Sequence, residues 1–492
     1  MKRSAFFQIN WMMLIRIAGW LLLVEGFFMV IPLLTSLYYG ESDARAFFIA
    51  MGVTLGSGVI ATFCVRPRRF DMGKREGFLL TALVWVVFSL FGMIPFLLSA
   101  TPLTVSEAYF EAMSGFTTTG ASVMPTVNDL SHGIHMWRSL MQWIGGMGII
   151  LFTLAVLPML NSSGGMQMFN AEVTGITHEK LRPRVSSTAK RLWLVYFLLT
   201  AILMVLYCAG PMDTFDSICH AFSTMSTGGF STRPESISQW DSLYIKIVTT
   251  VFMFIGGVNF ALIFKASLGD LKGVWGNEVF RVYVGTILVL LILFDIALVQ
   301  NPLVPDRIES YTIDPLFIII SMMSSTGYTI SGVGDWGLFI FSLILIMMFV
   351  GACAGSTSGG SKLDRSLYLW KNARNELYRC IYPNRILSVN INGRTISPEI
   401  TNKVMVFLSL YIIVILAGGI VLSINGIPLQ DAFFSSFSCV SNTGLCNGFS
   451  GLGESYAVVP DAGKWVLSLL MLTGRLEIFT ILLLFTPGFW NR

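Results

Sequence analysis

The sequence predicts an all-α polytopic membrane protein with ten transmembrane helices, in which two N-terminal helices precede four helix–pore-loop–helix repeats around a pseudo-fourfold pore. Three observations predict this fold: the composition is too apolar for a soluble protein, ten segments can cross a bilayer, and four shorter segments share one internal spacing. The 492 residues are 54% apolar and 12% charged, and the mean hydropathy is +0.71. Soluble domains carry about twice that charged share, so a soluble enzyme, a disordered protein and a nucleic-acid binder are excluded.

Charge and cysteine content narrow the class of protein further. The formal net charge of +4 is too small to indicate an anionic partner, and the seven cysteines have no CxxC spacing that would indicate a disulfide framework or a zinc site. His132 and His135 form an HxxH pair without a third plausible ligand, which favours an interfacial turn over a metal site. The first apolar run reaches about residue 37 without a cleavage site, which predicts a retained first span.

Ten segments hold the roughly 20 apolar residues that a membrane-spanning helix needs. They are approximately 10–37, 46–64, 77–99, 137–160, 192–209, 243–264, 279–299, 338–355, 404–424 and 463–485. Four further apolar stretches, near 107–119, 216–226, 314–324 and 431–441, are too short to span and are candidate re-entrant elements. The chain then divides into two N-terminal helices (1–70) and four pore repeats at 71–165, 185–265, 278–375 and 400–492.

Basic residues indicate the orientation, because cytoplasmic loops of membrane proteins are enriched in Lys and Arg. With the N-terminus inside, the inner segments 64–76, 161–191, 265–281 and 361–403 hold 21 of the 32 basic residues, and the outer segments hold six. Both termini are therefore predicted to be cytoplasmic. The four short elements then enter the membrane from outside.

A fourfold repeat links the short elements. Each opens on an acidic residue, and a glycine follows 13 positions later: Glu107 and Gly120, Asp216 and Gly229, Asp314 and Gly327, and Asp431 and Gly444. The elements end in TTTGA, STGGF, SSTGY and SNTGL. We call residues 117–120, 226–229, 324–327 and 441–444 tips 1 to 4. Because all four repeats cross the bilayer in the same direction, they can surround one axis, unlike the inverted halves of many transporters.

The tips have the composition of a cation filter. A glycine that adopts a positive φ lets successive carbonyl oxygens turn toward the axis and replace the hydration shell of a cation, as in potassium-channel filters. The alternative for a single tip is an ordinary surface turn, but four tips in register favour the filter. The predicted ligands, mainly through backbone carbonyls, are Thr118, Thr119, Gly120, Thr227, Gly228, Gly229, Ser325, Thr326, Gly327, Asn442, Thr443 and Gly444.

Two features are predicted beneath the filter. The sequence GACAGSTSGGSK interrupts the last span of repeat 3, and a helix cannot stay regular through so many glycines, so a flexible loop is expected at 351–360. Arg475 lies near mid-membrane, where a fixed positive charge would limit cation leak; snorkelling or pairing with Glu477 is the alternative. The pairs Gly145–Gly146 and Gly256–Gly257 are expected to allow close helix packing rather than to act as hinges.

Several stretches together resemble the Trk/Ktr/HKT superfamily of potassium transporters, in particular its bacterial TrkH/TrkG branch. They are SGFTTTGASV, QWIGGMGIIL, FSTMSTGGFSTRPESI, GACAGSTSGGSK, SNTG and GRLEIFTILLLFTPGFW. The resemblance covers nearly the whole chain. Ser441 and Thr443 depart from residues common at the fourth tip of relatives, whereas glycine at all four filter positions is similar to the potassium-preferring members.

The resemblance implies potassium uptake through one pore per subunit of a homodimer in the bacterial cytoplasmic (inner) membrane. It also implies a cytosolic TrkA-type nucleotide-binding ring as regulator, K+ bound in the filter, and no organic cofactor in this chain. The gate implied by the resemblance comprises Gly351, Gly355, Ser356, Thr357, Ser358, Gly359, Gly360 and Arg475.

Other functions stay open at this point. Sodium- or proton-coupled potassium symport is the alternative within transport, and a non-conducting membrane sensor subunit is a remote one. A membrane-embedded enzyme would need converging acid, base or metal groups. The sequence has no HExxH or GxSxG motif, and its intramembrane charges do not cluster, so no enzymatic activity is predicted.

Overall fold

The predicted helical fold is present in a computed structural model, which describes residues 9–65, 73–124, 126–148, 185–299, 308–330, 336–385, 387–446 and 455–490. Within these residues, regular structure is almost entirely helical. A short antiparallel pair, β1 (Asn390–Ile391) and β2 (Arg394–Thr395), is the strand structure in this part of the chain.

Three N-terminal helices precede the first repeat, and the first and third pack closely. They are α1 (Trp11–Phe28), α2 (Val30–Tyr39) and α3 (Ala44–Val59), which continues as a π-helical turn, Ile60–Cys64. A Cβ atom at Gly19 would lie 2.7 Å from the Thr62 hydroxyl oxygen, and one at Gly26 would lie 2.7 Å from the Leu55 side chain. The two glycines therefore allow α1 to approach α3 closely.

We group the helices of the rest of the chain by the predicted repeats and call the groups units 1 to 4. Unit 1 contains α4 (Lys74–Gly92), α5 (Ile94–Leu98), α6 (Val105–Phe116) and α7 (His132–Gly146). Unit 2 contains α8 (Val185–Cys208), α9 (Thr214–Met225), α10 (Leu243–Gly257) and α11 (Phe260–Ser267), and α12 (Leu271–Gly276) follows it. Unit 3 contains α13 (Glu278–Val299), α14 (Ile308–Tyr311), α15 (Ile313–Met323), α16 (Leu338–Val350) and α17 (Leu363–Ile381). Unit 4 contains α18 (Pro398–Ile424), α19 (Leu429–Val440), α20 (Asp461–Arg475), α21 (Phe479–Leu484) and α22 (Pro487–Trp490).

Each unit has three kinds of helix. The leading helices are α4, α8, α13 and α18, the short helices are α6, α9, α15 and α19, and the closing helices are α7, α10, α16 and α20. The short helices lie inside the molecule, and every described residue of α6 from Ser106 to Phe116 except Glu107 is buried. The leading helices instead expose large apolar side chains, among them Phe197, Leu288, Ile292 and Ile413. This distribution is typical of helices that face lipid.

Six helical segments in the described part of the chain are long and apolar enough to cross a membrane. They correspond to the predicted spans 10–37, 46–64, 77–99, 192–209, 279–299 and 404–424. The predicted span 243–264 is not one straight helix, because α10 and α11 meet at an angle of 110°. The chain is therefore a multi-pass membrane protein, while the number of ten spans stays a prediction.

The closing helices all end partway through their predicted spans. In the span 137–160, α7 ends at Gly146, and residues 149–160 lie outside the described residues. In the predicted span 338–355, α16 ends at Val350, which precedes Gly351 with a φ of 67°. In 463–485, α20 ends at Arg475, and Glu477 and Ile478 have φ of 52° and 27° before α21 begins.

The sequence predicted such a break only in unit 3, and a continuous helix was wrong for units 2 and 4. Apolar composition measures transfer into lipid and carries little information on backbone conformation. In unit 2, extended Val258 and the Asn259 side chain, which accepts from Ala261 N, start a new helix directly after Gly257. The paired glycines do allow close packing: a Cβ at Gly145 would lie 1.8 Å from the Phe116 carbonyl oxygen. They also end their helices.

Candidate functional site

The four tips follow the short helices with one shared backbone pattern. In tip 1, Thr118 N donates to Gly115 O at 3.0 Å and Thr119 N donates to Ser114 O at 2.9 Å. The equivalent bonds in the other tips are Thr227 N to Thr224 O, Gly228 N to Ser223 O, Ser325 N to Met322 O, Thr326 N to Ser321 O, Asn442 N to Cys439 O, and Thr443 N to Ser438 O. Each tip therefore folds back on the last turn of its own short helix.

These bonds orient the carbonyl groups. In a trans peptide the C=O of one residue points opposite to the N–H of the next. Because the N–H groups of the second and third tip residues point to the short helix, the carbonyls of the first and second residues point away from it. The second residues are among the predicted ligands. The first residues, Thr117, Ser226, Ser324 and Ser441, are not among them.

Backbone dihedral angles repeat as well. The second residue of each tip has a positive φ: 53° at Thr118 and 54° at Thr227, Ser325 and Asn442. The fourth residue is the predicted glycine, with φ of 78°, 80°, 75° and 75° at Gly120, Gly229, Gly327 and Gly444. A non-glycine residue at positive φ is uncommon and costs free energy. Four copies of the same strained conformation indicate a shared structural requirement.

The four tips close into a ring in chain order. A Cβ atom at Gly120 would lie 2.2 Å from Gly228 O of tip 2, and one at Gly229 would lie 2.0 Å from Thr326 O of tip 3. A Cβ at Gly327 would lie 2.1 Å from Thr443 O of tip 4, and one at Gly444 would lie 2.0 Å from Thr119 O of tip 1. Each glycine thus touches the carbonyl of the next tip and leaves no space for a side chain.

The residues predicted for the gate lie against three of the tips. Thr357 Oγ1 lies 3.1 Å from Thr227 Oγ1, and Gly359 N donates to Ser325 Oγ at 2.5 Å. Gly360 N donates to Ser441 O at 3.0 Å. The Ser441 carbonyl points away from its short helix. The loop therefore covers the side of the ring on which Thr227, Ser325 and the Ser441 carbonyl meet it.

The loop is attached to the broken closing helix of unit 2. Cys353 N donates to Gly257 O at 3.1 Å, and Asn259 Nδ2 donates to Ala354 O at 2.6 Å. Within the loop, Ser356 Oγ lies 2.7 Å from Ser358 Oγ. The ammonium of Lys362, two residues after the loop, donates to Ser358 O. Glycines 351, 355 and 360 adopt φ of 67°, 78° and 77°. The loop therefore has a defined conformation that depends on its glycines.

Arg475 connects the loop to unit 1. Its Nη1 donates to Thr357 O at 2.9 Å, and its Nη2 donates to Gly145 O at 2.7 Å and Gly146 O at 3.2 Å. The last carbonyls of a helix carry partial negative charge, so the guanidinium lies where the α7 dipole favours a cation. Glu477, the alternative partner in the sequence, accepts a hydrogen bond from Arg365 at 2.5 Å. The loop and Arg475 together thus contact all four units.

Two polar side chains that the sequence analysis did not single out support the tips from α7. Arg138 is buried, and its Nε donates to Glu111 Oε1 at 2.8 Å. Its guanidinium also lies 4.2 Å from the Phe230 ring centre, next to tip 2. Gln142 is fully buried and contacts Gly228 O. Charged and amide side chains inside an otherwise apolar segment are the signal that could have found them.

Three of the four acidic residues that open the short helices form ion pairs with basic side chains. Lys464 Nζ lies 2.8 Å from Glu107 Oε1, Lys246 Nζ lies 2.8 Å from Asp314 Oδ1, and Arg233 Nη2 lies 2.9 Å from Asp216 Oδ2. Carboxylates at a helix N-terminus also interact favourably with its dipole. These acids therefore fix the positions of the short helices.

Comparison with known proteins gives matches over nearly the whole chain. The model of the TrkH family, described as cation transport proteins, matches residues 45–275 and 278–491. The Trk system potassium uptake proteins TrkH of Salmonella typhimurium and of Escherichia coli K12 are each 37% identical to this chain, over 97% of this chain and 99% of theirs. The crystal structure of the potassium transporter TrkH from Vibrio parahaemolyticus has a TM-score of 0.88 and 33% identity, covering 98% of this chain and 100% of that one.

Proposed function

The chain belongs to the TrkH family of cation transport proteins, and we propose that it takes up potassium ions through the ring formed by its four tips. The single observation that carries the proposal is the ring itself: four tips with one backbone conformation, each in contact with the next. The relatives named as potassium uptake proteins support the choice of ion. The four pore units are 71–165, 185–265, 278–375 and 400–492.

The carbonyl oxygens of the ring would replace the water shell of K+. Selectivity for K+ depends on the number and field strength of such oxygens and on the space between them. The proposed ligands are the carbonyls of the tip residues named above together with those of Thr117, Ser226, Ser324 and Ser441. The inward driving force is the membrane potential, which supplies about 2.3 kcal/mol per charge for each 100 mV.

The loop at 351–360 and Arg475 form the proposed gate. The loop bonds tips 2, 3 and 4 from one side, and Arg475 holds it to the end of α7. A cation that has passed the ring would meet these groups and the positive charge of Arg475. Conduction therefore requires the loop and Arg475 to move away.

The proposal includes a location and partners. Basic residues concentrated in the inner segments support cytoplasmic termini in the bacterial inner membrane. A homodimer and a cytosolic TrkA-type nucleotide-binding ring as the regulator follow from the resemblance to the Trk system. Movement of this cytosolic regulator on nucleotide binding would supply the work that releases the gate loop.

The test is cation flux through the purified protein in liposomes, measured with rubidium under an imposed membrane potential. We expect potential-driven rubidium uptake that potassium inhibits and sodium does not. Changes in external sodium and pH at fixed potential separate a channel from a symporter, because only a symporter shifts its reversal potential with the second ion. Absence of flux, both in liposomes and in a potassium-uptake-deficient host supplied with the regulator, would contradict the proposal and favour the sensor alternative.

A further inference from the structure

The third residue of the tip differs in one of the four units. It is Thr119, Thr326 and Thr443 in tips 1, 3 and 4, and Gly228 in tip 2. The three threonine hydroxyls lie 2.8, 2.7 and 3.0 Å from the hydroxyl of the first residue of the same tip. Gly228 has no side chain for such a contact, so tip 2 needs another support.

Gln142 of α7 supplies that support from the neighbouring unit. Its Nε2 donates to Gly228 O at 2.6 Å, and its Oε1 accepts from Phe230 N at 3.1 Å. The side-chain amide therefore bridges the backbone on both sides of Gly229. A Cβ atom at Gly228 would lie 2.4 Å from Gln142 Cδ, so Gln142 in this position requires glycine at 228.

The same register in two other closing helices holds a different residue. Gln142 is four residues before the last residue of α7, and Met253 and Met471 are four residues before the last residues of α10 and α20. Both methionines are buried. The tips that follow them around the ring, tips 3 and 1, carry threonine. In α16 this register holds Ile346, and tip 4 also carries threonine. Among the four closing helices, an amide at this register thus occurs only in α7, next to the tip that has glycine.

We propose that Gln142 is a positioning residue that sets the ion selectivity of the ring through the Gly228 carbonyl. This inference rests on the proposed potassium pathway. The amide hydrogen bond fixes the direction of that carbonyl and withdraws electron density from its oxygen. A weaker oxygen field favours K+, which is loosely hydrated, over Na+, which needs stronger ligands to replace its water. Loss of the amide therefore shifts the selectivity toward sodium.

The experiment compares rubidium and sodium flux in liposomes for wild-type protein and Gln142→Met. We expect the potassium-to-sodium preference to fall by about 3- to 10-fold, the effect of one hydrogen bond on a ligand. Gly228→Thr alone collides with Gln142 and loses most flux. The double variant Gln142→Met with Gly228→Thr gives this boundary the residue types found before tips 3 and 1, and regains flux. Met253→Leu, at the same register in α10, is the matched control and keeps the wild-type preference.

The outcomes separate the inference from the proposed function. If the wild-type protein carries no rubidium, the pathway itself is wrong. If it does, an unchanged ion preference in Gln142→Met overturns the inference, and so does a double variant no more active than Gly228→Thr. If Gln142→Met does not fold, Gln142→Asn replaces it: this variant keeps an amide but shortens its reach, and its potassium-to-sodium preference is measured in the same way.

Discussion

At the scale of single residues, the tip glycines are the strongest constraint. Gly327 has φ 75°, and a Cβ atom there would lie 2.1 Å from Thr443 O. Alanine would add about 1–2 kcal/mol of backbone strain to that collision. We expect Gly327→Ala to abolish rubidium flux, measured in liposomes. Gly285→Ala in α13 is the control, since a Cβ there meets no atom of the described residues within 4 Å. Normal flux through Gly327→Ala would contradict the ring as the pathway.

Arg475 gives a second prediction at this scale, of opposite sign. Its guanidinium donates to Thr357 O and to the two last carbonyls of α7, so its loss frees the loop and removes a positive charge. Charged hydrogen bonds contribute about 1.5–3 kcal/mol each, so we expect Arg475→Ala to raise flux without the regulator by about 10-fold or more.

Arg475→Lys serves as the matched variant for this prediction. It keeps the charge, but an ammonium lacks the planar fork that reaches Thr357 and α7 at once. We expect flux between those of wild-type protein and Arg475→Ala, measured under the same potential. Equal flux in all three proteins would rule out a barrier role for Arg475.

The conformation of these residues could be predicted only in part. Glycine at the fourth tip position indicates a positive φ, because other residues avoid it. Thr118, Thr227 and Ser325 share the positive φ, yet threonine and serine do not signal it; only asparagine, at Asn442, is a residue type enriched there. Their strained conformation depends on bonds to the short helices and on contact with the next tip, which exist only in the folded ring.

At the scale of elements, each break in a closing helix contacts an aromatic residue from the leading helix of the next unit. Tyr196 Oη would lie 2.6 Å from a Cβ at Gly146, and Tyr283 Oη would lie 2.5 Å from a Cβ at Gly257. Tyr411 packs edge-on against Phe349, with ring centres 5.6 Å apart, and the Trp85 ring lies 5.7 Å from the Arg475 guanidinium. All four aromatic side chains are buried, so the breaks are built into the packing between units.

Two of these tyrosines give a matched prediction. Tyr196 Oη donates to Trp143 O at 2.9 Å, whereas Tyr283 Oη has no hydrogen-bond partner within the described part of the chain. A hydrogen bond contributes about 1 kcal/mol to stability, and an unpaired buried hydroxyl contributes none. We expect Tyr196→Phe to lower the melting temperature in detergent and Tyr283→Phe to leave it unchanged or raise it. The reverse order would contradict this account of the breaks.

Hydropathy predicted where the long helices lie but not where the closing helices end. Gly351 marks one break, and Gly145–Gly146 and Gly256–Gly257 precede two others, but paired glycines also occur where a helix continues, as at Gly418–Gly419 within α18. The deciding information is the contact with the next unit, which is remote in sequence.

At the scale of the whole molecule, the equal spacing of four acids and four glycines predicted the ring, because equivalent units that point the same way can share an axis. The spacing did not indicate what joins the first unit to the last. Lys464 and Glu107 do this across 357 residues of chain, and their ion pair has no local sequence signal. Lys246 and Asp314 join units 2 and 3 in the same way.

The Lys464–Glu107 pair gives the last prediction. The Lys464 side chain is 4% exposed and Glu107 21%, so Lys464→Met leaves a partly buried carboxylate without its cation. Removing one partner of a buried pair costs about 3–5 kcal/mol, and partial exposure reduces this to about 1–3 kcal/mol. We expect a lower melting temperature in detergent together with reduced rubidium flux, because tips 4 and 1 are adjacent in the ring. Arg379→Ala, which breaks the exposed Arg379–Glu376 pair, is the control and leaves both unchanged. Glu107→Gln in the Lys464→Met background recovers part of the stability, since the amide carries no charge to bury; no recovery there would show that Lys464 acts other than through Glu107.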